Sequence, residues 1–155
     1  MNYRLRGLEP ALFEKFFDLD EPALAERGMR WMRVDKPVGF PCRISLADAP
    51  VGEDVLLLTF THQNSHSPYR ASGPIFVRRG QPVAAEFVNE LPPYLTLRPL
   101  SIRAYDAADE MLDADVVDGT QAEDLIERYL ANDAAQYLHV HYARRGCYAC
   151  RVDRA

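Results

Sequence analysis

The chain has 155 residues, 48% of them apolar, and a formal net charge of −5. That apolar share excludes a disordered chain, and the length suits one domain with its own core. The acidic balance argues against nucleic acid, whose binders present a basic face, and the longest strongly apolar run, Val55-Leu56-Leu57-Leu58, is far too short to cross a bilayer.

Residues 3–8 alternate and predict a first strand. Pro10 opens a helical pattern that aligns Leu12, Phe13, Phe16 and Phe17 on one stripe. Asp20 is placed to cap a second short helix, with Pro22 in its first turn and Gly28 just past its end. Residues 29–34 alternate again as a strand. The prolines of Lys36-Pro37-Val38-Gly39-Phe40-Pro41 mark a stiff loop. A short strand over 42–46 and a turn over 48–54 follow. Residues 55–62 form the most apolar strand, expected at a sheet centre with both faces covered. A polar loop spans 63–74, and further strands are expected over 75–78, 84–88, 100–105 and 111–117. Thr120-Gln121-Ala122-Glu123 fits a capping box, and Leu125, Ile126, Tyr129 and Leu130 give the helix 121–131 its apolar stripe. The chain closes in a hairpin over 136–155, turned by Arg144-Arg145-Gly146 with Gly146 in the left-handed position. The expected class is α+β, one globular domain over 1–155. Its sheet is mixed and mostly antiparallel, with a few helices on one side and a C-terminal β-hairpin.

Three cysteines cannot all pair within the chain, and the first residues lack the apolar run of a secretory signal. Free thiols in a cytoplasmic protein are therefore expected. Of the eighteen cations, only Lys15 and Lys36 are lysines. A GC-rich genome is the simplest cause; the functional alternative is bidentate grip on planar anions.

The hairpin carries two of the four histidines and two of the three cysteines. A three-residue loop pairs Ala143 with Cys147, His141 with Ala149, and His139 with Arg151. Alternation then places Tyr137, His139, His141, Cys147, Ala149 and Arg151 on one face. Leu138, Val140, Tyr142, Tyr148, Cys150 and Val152 take the other, more apolar face. Cys150 becomes a core thiol, and Cys147 lies diagonal to His141 and open to react. Such diverging sulfurs do not suit a redox dithiol, which sits at a helix N-terminus. His139 and His141 point the same way and can share a divalent metal, with His62, His66, Cys42 or Cys147 as third ligand. The bland alternative, commoner for a lone His-x-His, is two hydrogen-bonded histidines on a half-solvated sheet face.

Arg43 and Arg70 suit a carboxylate or phosphate clamp, with Tyr69 stacking or donating beside them. Glycine-rich nucleotide loops and a nucleophile elbow are absent from the sequence. Three functions stay open. The first is binding of a small anionic ligand in a pocket between the central loop and the hairpin, lined by Arg43, Tyr69, Arg70, His139, His141 and Arg151. The second is an enzyme. His139 and His141 would hold a divalent metal, or Cys147 or Cys42 would act as nucleophile with His141, His62 or His139 as base. The third is a homodimeric interaction module that pairs through a sheet edge or the Trp31 face.

Pro41-Cys42-Arg43, Ala49-Pro50-Val51-Gly52-Glu53 with Val55-Leu56-Leu57-Leu58, Ser67-Pro68-Tyr69 with Ser72-Gly73-Pro74-Ile75-Phe76-Val77, and Gly146-Cys147-Tyr148-Ala149-Cys150-Arg151-Val152 stand in this order. Together they resemble the domain of unknown function 1203 family, over nearly the whole chain. The resemblance implies a bacterial, stand-alone, single-domain protein. It implies no activity, so no catalytic role transfers with it.

Overall fold

A computed structural model describes residues 2–155. In chain order the strands are β1 (Tyr3–Arg6), β2 (Arg30–Arg33), β3 (Pro41–Cys42), β4 (Ala47–Asp48), β5 (Asp54–Gln63), β6 (Ala71–Val77), β7 (Glu86–Val88), β8 (Pro99–Tyr105), β9 (Met111–Asp118), β10 (Tyr137–Tyr142) and β11 (Tyr148–Arg154). The helices are α1 (Glu14–Phe17), α2 (Glu21–Glu26), α3 (Pro93–Thr96) and α4 (Ala122–Leu130). No helix among the described residues is long and apolar enough to cross a membrane.

The α+β class stands, but the strands divide between two sheets. The larger has the order β7-β1-β11-β10-β8-β9 and is antiparallel throughout. The smaller runs β2-β5-β6-β3-β4, with one parallel pairing between β3 and β6. The hairpin β10–β11 therefore sits in the middle of the larger sheet, and both its faces are covered. One face carries Leu138, Val140, Cys150 and Val152 against Leu125, Ile126 and Leu130 of α4. Each fully buried aliphatic side chain there contributes roughly 1.5–3 kcal/mol. In the smaller sheet Leu56, Leu58, Ile75 and Val77 pack against Phe13, Leu24 and the partly buried Phe16 and Phe17 from the helical N-terminus.

Several local expectations hold for their stated reasons. Asp20 caps α2, accepting from the Ala23 amide at 2.9 Å, and Gly28 follows at φ +70°. Others need correction. The strand expected over 42–46 is only Pro41–Cys42, because residues 43–46 turn, with Leu46 at φ +51°. The loop expected over 63–74 is shorter, since β6 already begins at Ala71 and holds Pro74 opposite Thr59. Pro74 is tolerated there because β3 joins β6 only at Phe76, leaving that edge open. The capping box is not made. Asp118 accepts from the Thr120 amide and hydroxyl instead, ahead of a 3-10 turn. Glu123 is thereby left to accept from the Tyr3 hydroxyl at 2.6 Å, tying the first strand to the last helix. Helix α3 gave no apolar period to read.

The last residues close the architecture. Arg154 donates to the carbonyls of Leu130 at 2.7 Å, Asn132 at 3.0 Å and Ala135 at 2.5 Å. A cation at this helix C-terminus meets both the unpaired carbonyls and the dipole. The sheets meet where the Leu8 amide donates to the Arg43 carbonyl and the Ala85 amide to the Ile44 carbonyl.

Candidate functional site

The hairpin register is partly as expected. His139 pairs with Arg151, but a bulge between Val140 and His141 sets His141 opposite Tyr148 and not Ala149. The loop is longer by one residue than expected, with the Tyr142 amide donating to the Cys147 carbonyl and the Gly146 amide to the Tyr142 carbonyl. Ala149 is the extra residue that restores the register. A bulge of this kind re-aims side chains. Tyr148 thereby moves to the histidine face, and Ala149 joins Cys150 in the core.

His139 and His141 point the same way, toward the smaller sheet, and β5 brings His62 between them. Ring centres are 4.9 Å apart for His62–His141, 6.1 Å for His62–His139 and 6.3 Å for His139–His141. Tyr148 stacks on His62 at 5.3 Å, and Tyr105 and Tyr137 flank His139 at 5.1 and 5.2 Å. His139 and His141 are buried, so this is no half-solvated face. Burial pushes His139 down to about 3, with the charges of His141, His62, Arg151 and Arg103 adding to it. Burial also pushes His141 down to about 3, against the opposing bond to Gly146. His62 is lowered by burial and by Arg103. All three are neutral imidazoles near pH 7. The His141 Nδ1–H donates to the Gly146 carbonyl at 2.9 Å. Gln63 donates to the Tyr137 hydroxyl at 2.8 Å, and Tyr137 donates to Asp109 at 2.5 Å.

On the other side of the hairpin loop lies a cleft of about 620 Å³. It is walled by the stiff loop with Lys36, Val38 and Phe40, by Arg30 and Met32 of β2, by Leu97 and Arg98, and by Arg144, Arg145 and Cys147 of the hairpin loop. Six cations line it, Arg30, Lys36, Arg43, Arg98, Arg144 and Arg145, and none of the lining residues is acidic. Arg98 has a counter-ion just behind the wall, Asp48 at 2.5 Å. Arg43 is 2% exposed yet has no carboxylate partner among the described residues; it donates to the carbonyls of Tyr148 at 2.8 Å and Pro41 at 2.5 Å. Both guanidinium groups lie over the Tyr142 ring, at 5.2 Å for Arg43 and 5.1 Å for Arg98. Among the described residues Arg30, Lys36, Arg144 and Arg145 make no salt bridge, whereas Arg4, Arg6, Arg33, Arg78, Arg128 and Arg151 each do.

The expected ligand-binding residues thus fall in two places. Arg43 lines the cleft. His139, His141 and Arg151 belong to the histidine pocket, with Arg151 4.0 Å from the Tyr137 ring centre and paired to Asp153. Tyr69 stands at that pocket's edge, 6.3 Å from Tyr105. Arg70 is exposed and turned to Asn64. The candidate cysteines separate as well. Cys42 is fully buried in the core of the smaller sheet, and Cys150 is buried in the larger, its thiol pushed up to about 12 by that burial. Cys147 is half-buried, with its thiol 3.9 Å from the Arg145 carbonyl. Neither Cys42 nor Cys147 hydrogen-bonds a histidine among the described residues. His66, the other histidine weighed as a ligand, is exposed. The cleft cations other than Arg43 escaped sequence reasoning. The adjacent Arg144 and Arg145, in a hairpin turn with no acid nearby, were the available signal.

The sequence model described as "Protein of unknown function (DUF1203)" matches residues 39–154. The matched region holds every strand and loop that builds the cleft apart from β2 with its Arg30 and Met32 and the Lys36–Val38 corner, and it holds all three pocket histidines. No curated protein and no solved structure matches the chain. With most of its length matched, from the stiff loop to the last strand, the chain belongs to the DUF1203 family.

Proposed function

We propose that this protein binds a small anionic molecule with an apolar body in the basic cleft. The observation that carries the reading is the lining: six cations and no carboxylate, in a chain whose net charge is −5. Val38, Phe40, Leu57, Ile75 and Leu97 supply apolar wall between the charges. The volume lies within the roughly 300–1,000 Å³ usual for small-molecule sites. Arg43 and Arg98 are held rigid over Tyr142, so little freedom is lost when they meet an anion. Arg144 and Arg145 stand exposed at the mouth and steer negative charge inward. Relative to the sequence-based pocket, the site keeps only Arg43 and exchanges Tyr69, Arg70, His139, His141 and Arg151 for Arg30, Lys36, Arg98, Arg144 and Arg145.

The test uses the anionic dye anilinonaphthalene sulfonate and its neutral counterpart phenylnaphthylamine as probes. The sulfonate should bind at one site, more weakly as salt rises. In an Arg30→Ser/Arg144→Ser/Arg145→Ser variant its affinity should fall about tenfold or more, from three exposed charge contacts of roughly 0.5–1 kcal/mol each. The side chains of these arginines make no hydrogen bond among the described residues, so the fold should stand. Equal binding of both dyes, or unchanged sulfonate affinity in the variant, would sink the proposal.

A further inference from the structure

We propose that His62, His139 and His141 form a three-histidine site for one divalent transition-metal ion of the zinc class. The site is separate from the basic cleft and does not depend on it.

Geometry comes first. A metal–nitrogen bond of about 2.0–2.1 Å plus ~1.1 Å to the ring centre puts each imidazole centre about 3.2 Å from the ion, so tetrahedral ligation sets ring centres about 5.2 Å apart. The observed separations are 4.9, 6.1 and 6.3 Å. His62 and His141 already stand at that spacing, and His139 is about 1 Å wide of it. As the rings lie, no three His, Cys, Asp or Glu side chains among the described residues are arranged to hold an ion. Ligation therefore requires His139 to close inward and turn, a side-chain motion that leaves the strands in place.

The second observation is unmet bonding. His62 Nδ1, His139 Nδ1 and His141 Nε2 are buried with no hydrogen-bond partner. Buried polar atoms are almost always paired. One orphan nitrogen costs about 1–3 kcal/mol, and here three lie on adjoining rings. His139 is 3% exposed and His141 1%. The bond from His141 Nδ1 to the Gly146 carbonyl fixes the tautomer that leaves the Nε2 lone pair free. A ligating histidine is usually oriented by this kind of outer-shell bond.

Charge sets the remaining condition. Arg103 and Arg151 flank His139 from the two neighbouring strands, Asp153 already pairs with Arg151, and Asp109 already accepts from Tyr137. A bare dication is disfavoured there. The ion should carry an anion, hydroxide or a carboxylate, at its open position. The rival occupant is a bridging water, which also satisfies buried nitrogens.

The experiment uses the full chain without a histidine tag. Metal content is measured by elemental analysis as purified, and then cobalt(II) alone is titrated into chelator-treated protein. Expected are close to one ion per chain and the strong visible absorption of four-coordinate cobalt. His62→Gln, His139→Gln and His141→Gln should each weaken binding about a hundredfold, while His66→Gln should not. His62 is only half-buried, so its variant should fold, and circular dichroism checks each one. Water as sole occupant predicts less than a tenth of an ion per chain and no cobalt spectrum at excess metal, which overturns the proposal. A spectrum that survives His62→Gln overturns it too. Dye binding in the basic cleft should be the same with and without metal, so failure of one site is distinguishable from failure of the other.

Discussion

Arg43 ties the hairpin to the end of β3, and replacing it measures what that tie contributes. The guanidinium bridges the Tyr148 and Pro41 carbonyls and lies over Tyr142. Arg43→Met keeps the apolar stem and removes the charge. Two charge-assisted bonds of about 1.5–3 kcal/mol each are lost, and two buried carbonyls are left unpaired. A stacking term of about 0.5–2 kcal/mol goes with them. In the other direction, the several kcal/mol spent on burying a cation without a counter-ion are recovered. The balance is a net loss of about 2–3 kcal/mol. At about 2–4 °C per kcal/mol for a chain of this size, Tm should fall by about 4–12 °C. Arg43→Ala should fall further, because it also leaves a cavity. Thermal and urea unfolding followed by circular dichroism reads both. If Arg43→Met is as stable as the parent, the two carbonyls do not repay the buried charge, and the clamp reasoning is wrong.

Thiol chemistry should follow burial: Cys147 reacts first with iodoacetamide in the native protein, while Cys42 and Cys150 react only after unfolding, as read by peptide mass spectrometry. The direction is fixed for Cys150, whose thiol is pushed up to about 12 by burial, so raising the pH to 9 should not expose a thiolate there. Tyr3→Phe removes the bond to Glu123 and should cost about 1–2 kcal/mol by urea unfolding; an unchanged midpoint would mean that the first strand is not anchored through α4. Gly146 sits at φ +78° with open space where a Cβ would lie. Gly146→Ala should therefore cost only the backbone term of about 1–2 kcal/mol, and Gly146→Asn should recover part of it; a larger loss would show that the loop position carries a contact beyond its dihedral angle.

How much was legible varies by element for physical reasons. The α2 cap and the stripe of α4 are local, so side-chain type and spacing carry them. The pairing of His139 with Arg151 was readable because Gly146 marks the turn. The bulge was not, since one inserted residue at Ala149 leaves the hydrophobic pattern on both sides intact. Its consequence was large: Tyr148 changed faces and became the lid over His62. Gathering His62 with the hairpin required a contact between two sheets, and no periodicity encodes that. The basic cleft was less legible still. Its cations come from five separate segments, each unremarkable alone, and only folding places them around one space. Glu123 shows the opposite error, a local motif overruled because Asp118 takes the Thr120 amide and hydroxyl and leaves the Glu123 carboxylate to a tertiary partner, Tyr3.

The arginine-rich composition bears differently on the two sites. A GC-rich genome accounts for Arg in place of Lys, but it says nothing of where each cation goes. Six arginines on the outer surfaces meet carboxylates, as a chain with 23 acidic residues readily allows. Lys15, Arg27, Arg70, Arg79, Arg103 and Arg154 make no salt bridge among the described residues, but they are scattered, whereas the cleft cations line one space. Two unit charges about 8 Å apart repel by roughly 0.5 kcal/mol in water, and more where the walls exclude it. Asp48 neutralises Arg98, but holding the other five together without a carboxylate partner among the described residues opposes folding. An anion that entered would relieve the repulsion at several cations at once, which is the physical ground for the proposed binding. The histidine pocket follows the opposite logic. It gathers neutral lone pairs beside Arg103 and Arg151, which disfavours protons and a bare cation alike, so the proposed metal ion would enter only together with an anion. Both proposals thus call for negatively charged ligands, and the hairpin loop lies between the two places, since the Gly146 carbonyl orients His141 while its neighbours Arg145 and Cys147 line the cleft.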